Sequence, residues 1–156
     1  MARAPVRKIL VPVDLSRRDV ETVDYAIALA LQLGAELWLF SVIDSPTKLY
    51  LIQSQPAEHK KDEGFNARVV EDAKVLLRRL VDRATQKGVQ AFGHAVVSER
   101  PDREIPREAQ ERGVDLILFG DREHGLLSRL FFGDTTEEVL EKAPCPVLVV
   151  KHRDRR

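Results

Sequence analysis

The chain has a single cysteine, Cys145, among 156 residues. An internal disulfide and any multi-cysteine zinc or iron–sulfur centre are therefore excluded. Net charge is missing too: 25 basic side chains balance 25 acidic ones. Such a surface exerts no general pull on nucleic acid or anionic lipid. No apolar run reaches the roughly 18 residues a membrane span needs. The start, Met1-Ala2-Arg3-Ala4-Pro5, leads straight into a strand-like stretch with no room for a signal peptide, so the cytoplasm is the expected compartment. His59, His94, His124 and His152 are scattered without ligand spacing. The sequence has no G-x-S-x-G elbow and no G-K-[S/T] phosphate loop. No catalytic constellation and no metal site are expected. Cys145, between two prolines and with no neighbouring cation, is expected to be a small packing residue.

The rest is an ordinary globular composition, 44% hydrophobic and 32% charged, at the length of one domain, 1–156. Short branched apolar runs alternate with helical periodicity. Arg7 to Val13, Glu36 to Ile43, Val89 to Val97, Val114 to Phe119 and Val147 to Lys151 read as buried strands. Between them, Asp19–Leu33 carries Val20, Val23, Ile27, Ala30 and Leu31 on one helical face, with Ser16 as its candidate cap. Phe65 to Lys87 is the longest helix, with a stripe from Val69 to Ala84. Asp102 to Arg112 is a short helix with Pro106 near its first turn, and Asp134 to Lys142 opens on a capping box, Asp134 and Glu137. Residues 44–63 read as a long connection and 152–156 as a basic tail.

Five strands separated by helices imply parallel pairing, right-handed crossovers and helices on both faces, a doubly wound α/β sheet. Ligands in such sheets sit beyond the carboxyl ends of the strands, where strand order reverses. The loops of interest are Asp14–Arg18, Asp44 onward and Gly120–Gly133.

Several segments together resemble the universal stress protein family. They are Lys8-Ile9-Leu10-Val11-Pro12-Val13-Asp14-x-Ser16, Gly34-Ala35-Glu36-Leu37 with Val42-Ile43-Asp44, Gly113-Val114-Asp115-Leu116-Ile117 with Gly120, and Glu138-Val139-Leu140-x-x-Ala143-Pro144-Cys145-Pro146-Val147-Leu148-Val149-Val150. The resemblance implies a Rossmann-like sheet of order 3-2-1-4-5 and a homodimer joined through the last strand, Val147, Leu148, Val149 and Val150. That strand has no charge, and pairing across a two-fold axis would cover its edge.

The resemblance also implies a nucleotide site. Many members bind ATP, with Mg²⁺, through G-x2-G-x9-G-[S/T]. Here Gly120 and Gly133 hold the first and last glycine positions, but Glu123 stands at the second and Asp134 at the Ser/Thr position. The pattern V-x-x-G-x-P reads Val96-Val97-Ser98-Glu99-Arg100-Pro101, with Glu99 in place of glycine. By the same resemblance Asp14 and Val42 face the adenosine, and Arg122, Arg129, Gly133 and Thr135 surround the phosphates. Asp14 also suits a plain turn residue that bonds nearby backbone.

Asp134 sits where a helix N-terminus would receive the phosphates. Its ionised carboxylate donates no hydrogen bond. Two unit charges about 4 Å apart repel by roughly 1 kcal/mol in water and about 4 kcal/mol at an intermediate dielectric. The reading from sequence is a non-enzymatic stress-response dimer that acts by protein contact or sensing, with weak or no ATP binding. The alternative is an adenine-nucleotide switch that uses Asp14, Val42, Gly120, Gly133, Arg122 and Arg129. An enzyme of another doubly wound family is a third reading, with no catalytic residues to carry it.

Overall fold

The structure is a computed structural model that describes residues 5–16, 19–45, 48, 51–52, 65–120 and 134–151, with backbone only at 65–66 and 134–137. In chain order the elements are β1 (Lys8–Pro12), α1 (Asp19–Leu33), β2 (Glu36–Ile43), α2 (Phe65–Gln86), β3 (Ala91–Val97), α3 (Pro101–Arg112), β4 (Leu116–Gly120), α4 (Asp134–Lys142) and β5 (Val147–Val150). All four strand pairings are parallel, and the sheet order is β3-β2-β1-β4-β5.

Alternation along the central strands sends apolar side chains to both faces, as a parallel sheet covered on both sides requires. Ile9, Val11 and Val13 pack with Val23 and Ile27 of α1 and Ala73 and Leu77 of α2. Leu10, Phe40, Val42 and Phe119 pack on the other face with Ile105 and Ala109 of α3 and Val139 of α4. Each fully buried side chain of this size contributes about 1.5–3 kcal/mol. Gly93 in β3 admits α2 closely: a Cβ there would lie 3.0 Å from Val81 Cγ2 and 3.2 Å from Leu77 Cγ.

The helical faces differ from the sequence reading at three points. Val20 and Leu31 are exposed, while Thr22 and Ala26 are buried beside Val23, Ile27 and Ala30. Leu31 follows Ala30 by one residue, which turns it about 100° away from the sheet. Pro106 stands sixth in α3, beyond the first turn, and is buried. The long connection is partly helical: Ser45, Lys48, Leu51 and Ile52 are in helix, and Leu51 is buried in the α1–α2 core.

Between α3 and α4 runs an ion-pair network. Arg100 grips Asp102 with both arms, Nε to Oδ1 at 3.1 Å and Nη2 to Oδ2 at 2.8 Å. The same Nη2 lies 3.8 Å from Glu138 Oε2 on α4, and Glu138 also pairs with Lys142. The Arg100 guanidinium holds the Asp102 carboxyl down to about 2. Asp102 is buried, so its pairing contributes about 1–2 kcal/mol after allowance for the exposed arginine. A depressed acid stabilises the fold above its unfolded value, about 3.9, and the contribution fades as pH falls through 2. Asp102→Asn is therefore expected to lose about 1–2 kcal/mol in urea unfolding at pH 7, with the gap to wild type closing toward pH 2. A gap that stays constant with pH would refute this assignment.

Candidate functional site

Because every strand runs the same way, the loops after β1, β2, β3 and β4 emerge on one edge of the sheet. Register places the expected residues there together. Pro12 pairs with Phe40, so two further residues set Asp14 level with Val42. Leu10 pairs with Ile117, so three further residues set Gly120 level with Val13, beside Asp14. Val42 in turn pairs with Val96. Asp14, Val42 and Gly120 thus share one layer at the β1–β4 boundary, where the winding reverses.

The loop after β1 is a tight turn that the sequence describes only in part. Leu15 adopts φ 64°, the left-handed region, although it is not glycine. That conformation costs roughly 1–2 kcal/mol for an L-residue. Burial of its side chain in the α1–α2 core, at 5% exposure, offsets the cost. The turn lets the Ser16 N–H donate to Asp14 Oδ1 at 2.9 Å, which orients the Asp14 carboxylate. The expected Ser16 cap is not made, for Ser16 Oγ is buried without a partner. Asp19 instead reaches back, and its Oδ1 accepts the Asp14 N–H at 3.3 Å. Burial pushes the Asp19 carboxyl well above the usual carboxylate range, and the neighbouring Asp14 adds to the shift. The sequence offers Asp19 as the residue that opens the helix, three positions after the candidate cap Ser16. Its interaction with Asp14 depends on the left-handed Leu15, which no spacing rule reveals.

Glu99, which replaces the family glycine, is turned to a neighbouring loop. Its Oε2 accepts the Ser45 N–H at 3.0 Å and its Oε1 accepts the Ser45 hydroxyl at 2.9 Å. Ser45 opens the helical turn after β2, where the Lys48 N–H donates to the Asp44 carbonyl at 3.0 Å. Glu99 therefore caps that turn from the neighbouring loop after β3.

The phosphate end of the expected site falls elsewhere. Arg122, Glu123, Arg129 and Gly133 lie outside the described residues, as do the side chains of Asp134 and Thr135; Asp134 is the first residue of α4. Among the described residues, no group of three or more His, Cys, Asp or Glu could hold a metal ion. No helix among them is long and apolar enough to cross a membrane. At the far edge of the sheet, β5 pairs only with β4, and Val149 is 39% exposed. Behind the β1 loop, on the α1–α2 side, a cavity of about 840 Å³ is lined by Leu15, Ser16 and Asp19 and by Leu76, Arg79 and Leu80.

Comparison with known proteins follows the same lines. A universal stress protein of Bacillus subtilis is 34% identical over 148 residues, covering 92% of this chain and 98% of its own length. One from Methanocaldococcus jannaschii is 32% identical over 146 residues, covering 93% and 82%. A solved hypothetical protein, described as a structure-based assignment of biochemical function, has a TM-score of 0.71 at 26% identity and covers 97% of this chain and 100% of its own. Two more distant structures share the fold. A universal stress protein from Archaeoglobus fulgidus in complex with dAMP has a TM-score of 0.62 at 21% identity, covering 95% and 100%. Another, in complex with cAMP, has a TM-score of 0.63 at 20% identity, covering 96% and 100%. Residues 5–151 match the sequence model of the universal stress protein family, and the chain belongs to that family.

Proposed function

We propose that this protein is a non-enzymatic, cytoplasmic homodimer that senses an adenine nucleotide through the adenosine end and binds ATP weakly. The observation that carries this reading is the layer formed by Asp14, Val42 and Gly120 at the β1–β4 boundary, with the Asp14 carboxylate held by the Ser16 N–H. A carboxylate fixed in this way accepts hydrogen bonds from ribose hydroxyls, and buried Val42 supplies an apolar floor. Two structural neighbours were solved with dAMP and cAMP, ligands with a single phosphate group. The phosphate end of this chain is the acidic one. Asp134 is an acidic residue at the first position of α4, a helix N-terminus of the kind that favours a polyphosphate. Both Glu99 oxygens accept hydrogen bonds from Ser45.

Calorimetric titration tests the ranking. AMP and adenosine are expected to bind at least about tenfold more tightly than ATP, a difference of about 1.4 kcal/mol. Asp14→Ala is expected to weaken AMP by about tenfold, and Asp134→Ser to strengthen ATP without changing adenosine. Tighter binding of ATP than of AMP would overturn this reading in favour of an ATP-dependent switch.

The interface proposed for the dimer is β5, an end strand of the described sheet that carries Val147, Leu148, Val149 and Val150 without a charge. Val149→Lys is expected to turn the sedimenting species into a monomer. A variant that still sediments as a dimer would move the interface elsewhere.

A further inference from the structure

We propose that Asp19 is a proton-bearing positioning residue: at neutral pH it keeps its acid hydrogen and, through the bond it accepts from the Asp14 N–H, sets the orientation that Asp14 presents to a ligand. The inference rests on the reading of Asp14 as an adenosine contact and extends it to a residue outside that contact.

The geometry makes an ionised Asp19 expensive. The side chain is 8% exposed. Its Oδ1 receives a long bond, 3.3 Å, from the Asp14 N–H, and the Leu15 N–H adds a further backbone interaction that does not outweigh burial. Its Oδ2 is closed off from solvent and accepts nothing, and Ser16 Oγ beside it in the same turn is equally buried and unpartnered. A buried carboxylate without a cation or a full set of donors reverts to the neutral acid. The N-terminus of α1 favours the anion, but only by about 0.3–1 kcal/mol, less than burial of a charge costs.

Arg17 and Arg18, which precede Asp19, lie outside the described residues; the described charges do not reverse this balance. Asp14, from the β1 loop, is a neighbouring acid that disfavours a charge on Asp19. On α1 the next charges are the acids Glu21 and Asp24. From α2, Asp72, Arg79, Asp82 and Arg83 line the cavity that Asp19 borders. Arg83 is bound to Asp24 through two bonds of 2.7 and 2.8 Å. Beyond β2 stand Asp44 and Lys48. Among the described residues, no cation pairs with Asp19.

The consequence for stability has a definite sign. Asp19 titrates above its unfolded value, so the folded state holds a proton that the unfolded chain has released. Asp19 therefore lowers stability as pH rises from about 4 up to its folded pKa, and no further above that.

Two measurements test the proposal. Carboxyl ¹³C NMR of the full-length wild type, with Asp19 assigned by its loss in Asp19→Asn, is expected to show a protonated Asp19 at pH 7. Titration in the ordinary aspartate range would overturn the proposal whether or not any nucleotide binds. AMP affinity against pH then tests positioning. Wild type is expected to weaken about fivefold or more as Asp19 loses its proton, since a buried negative charge then stands beside Asp14. Asp19→Asn, whose amide oxygen accepts the same bond from the Asp14 N–H, is expected to stay flat, while Asp19→Ala loses about tenfold at every pH. An identical pH profile in wild type and Asp19→Asn would overturn the positioning role. Absence of AMP binding in all three proteins would defeat the nucleotide reading and the positioning role built on it, while the carboxyl titration would still decide the proton.

Discussion

The Asp115 carboxylate accepts the backbone N–H groups of Arg7 and Lys8, each at 2.9 Å, and closes the amino end of the β1–β4 pairing. Asp115 also donates its own N–H to the Lys8 carbonyl at 2.9 Å. These two strands lie more than a hundred residues apart, and their pairing joins the two halves of the sheet. On one side of it the chain winds through α1 and α2, on the other through α3 and α4. At the carboxyl end of the same pairing the connecting loops diverge in opposite directions, and the crevice between them is where Asp14 and Gly120 meet. The site is thus a consequence of strand order, held from the opposite end by one aspartate.

Around that crevice, acids are the recurring problem, and the structure answers each in a different way. Asp102 is neutralised by a two-armed arginine. Glu99 caps the helical turn after β2 through Ser45. Asp19 has, among the described residues, neither a cation nor a full set of donors, and burial turns it toward the neutral acid. Asp14, in the loop after β1, has its carboxylate oriented by the Ser16 backbone N–H.

The architecture was legible because buried parallel strands and amphipathic helices carry strong periodic signals. α1, β2 and α4 have the limits that periodicity and capping residues assign. Errors arose where one residue of rotation or one turn decides, as at Leu31, Val20 and Pro106. Asp14, Val42 and Gly120 are expected site residues through resemblance, and register brings them to the same end of the sheet. The bond between Glu99 and Ser45 was not legible, because it joins loops after different strands across 54 residues. Nor was the coupling of Asp14 to Asp19, which depends on a left-handed leucine where patterns of residue type anticipate no such turn. Backbone geometry at loop ends is set by tertiary packing, and only the packed structure shows it.

The central claim is that the adenosine part of a nucleotide occupies the layer at the β1–β4 boundary. Amide NMR of the full-length protein titrated with AMP tests it most directly. The account predicts that the largest shift changes fall on Asp14, Ser16, Val42 and Gly120, with little change at Arg79 and Leu80 along the α1–α2 cavity. Changes centred on α2, or none at saturating AMP, would contradict it.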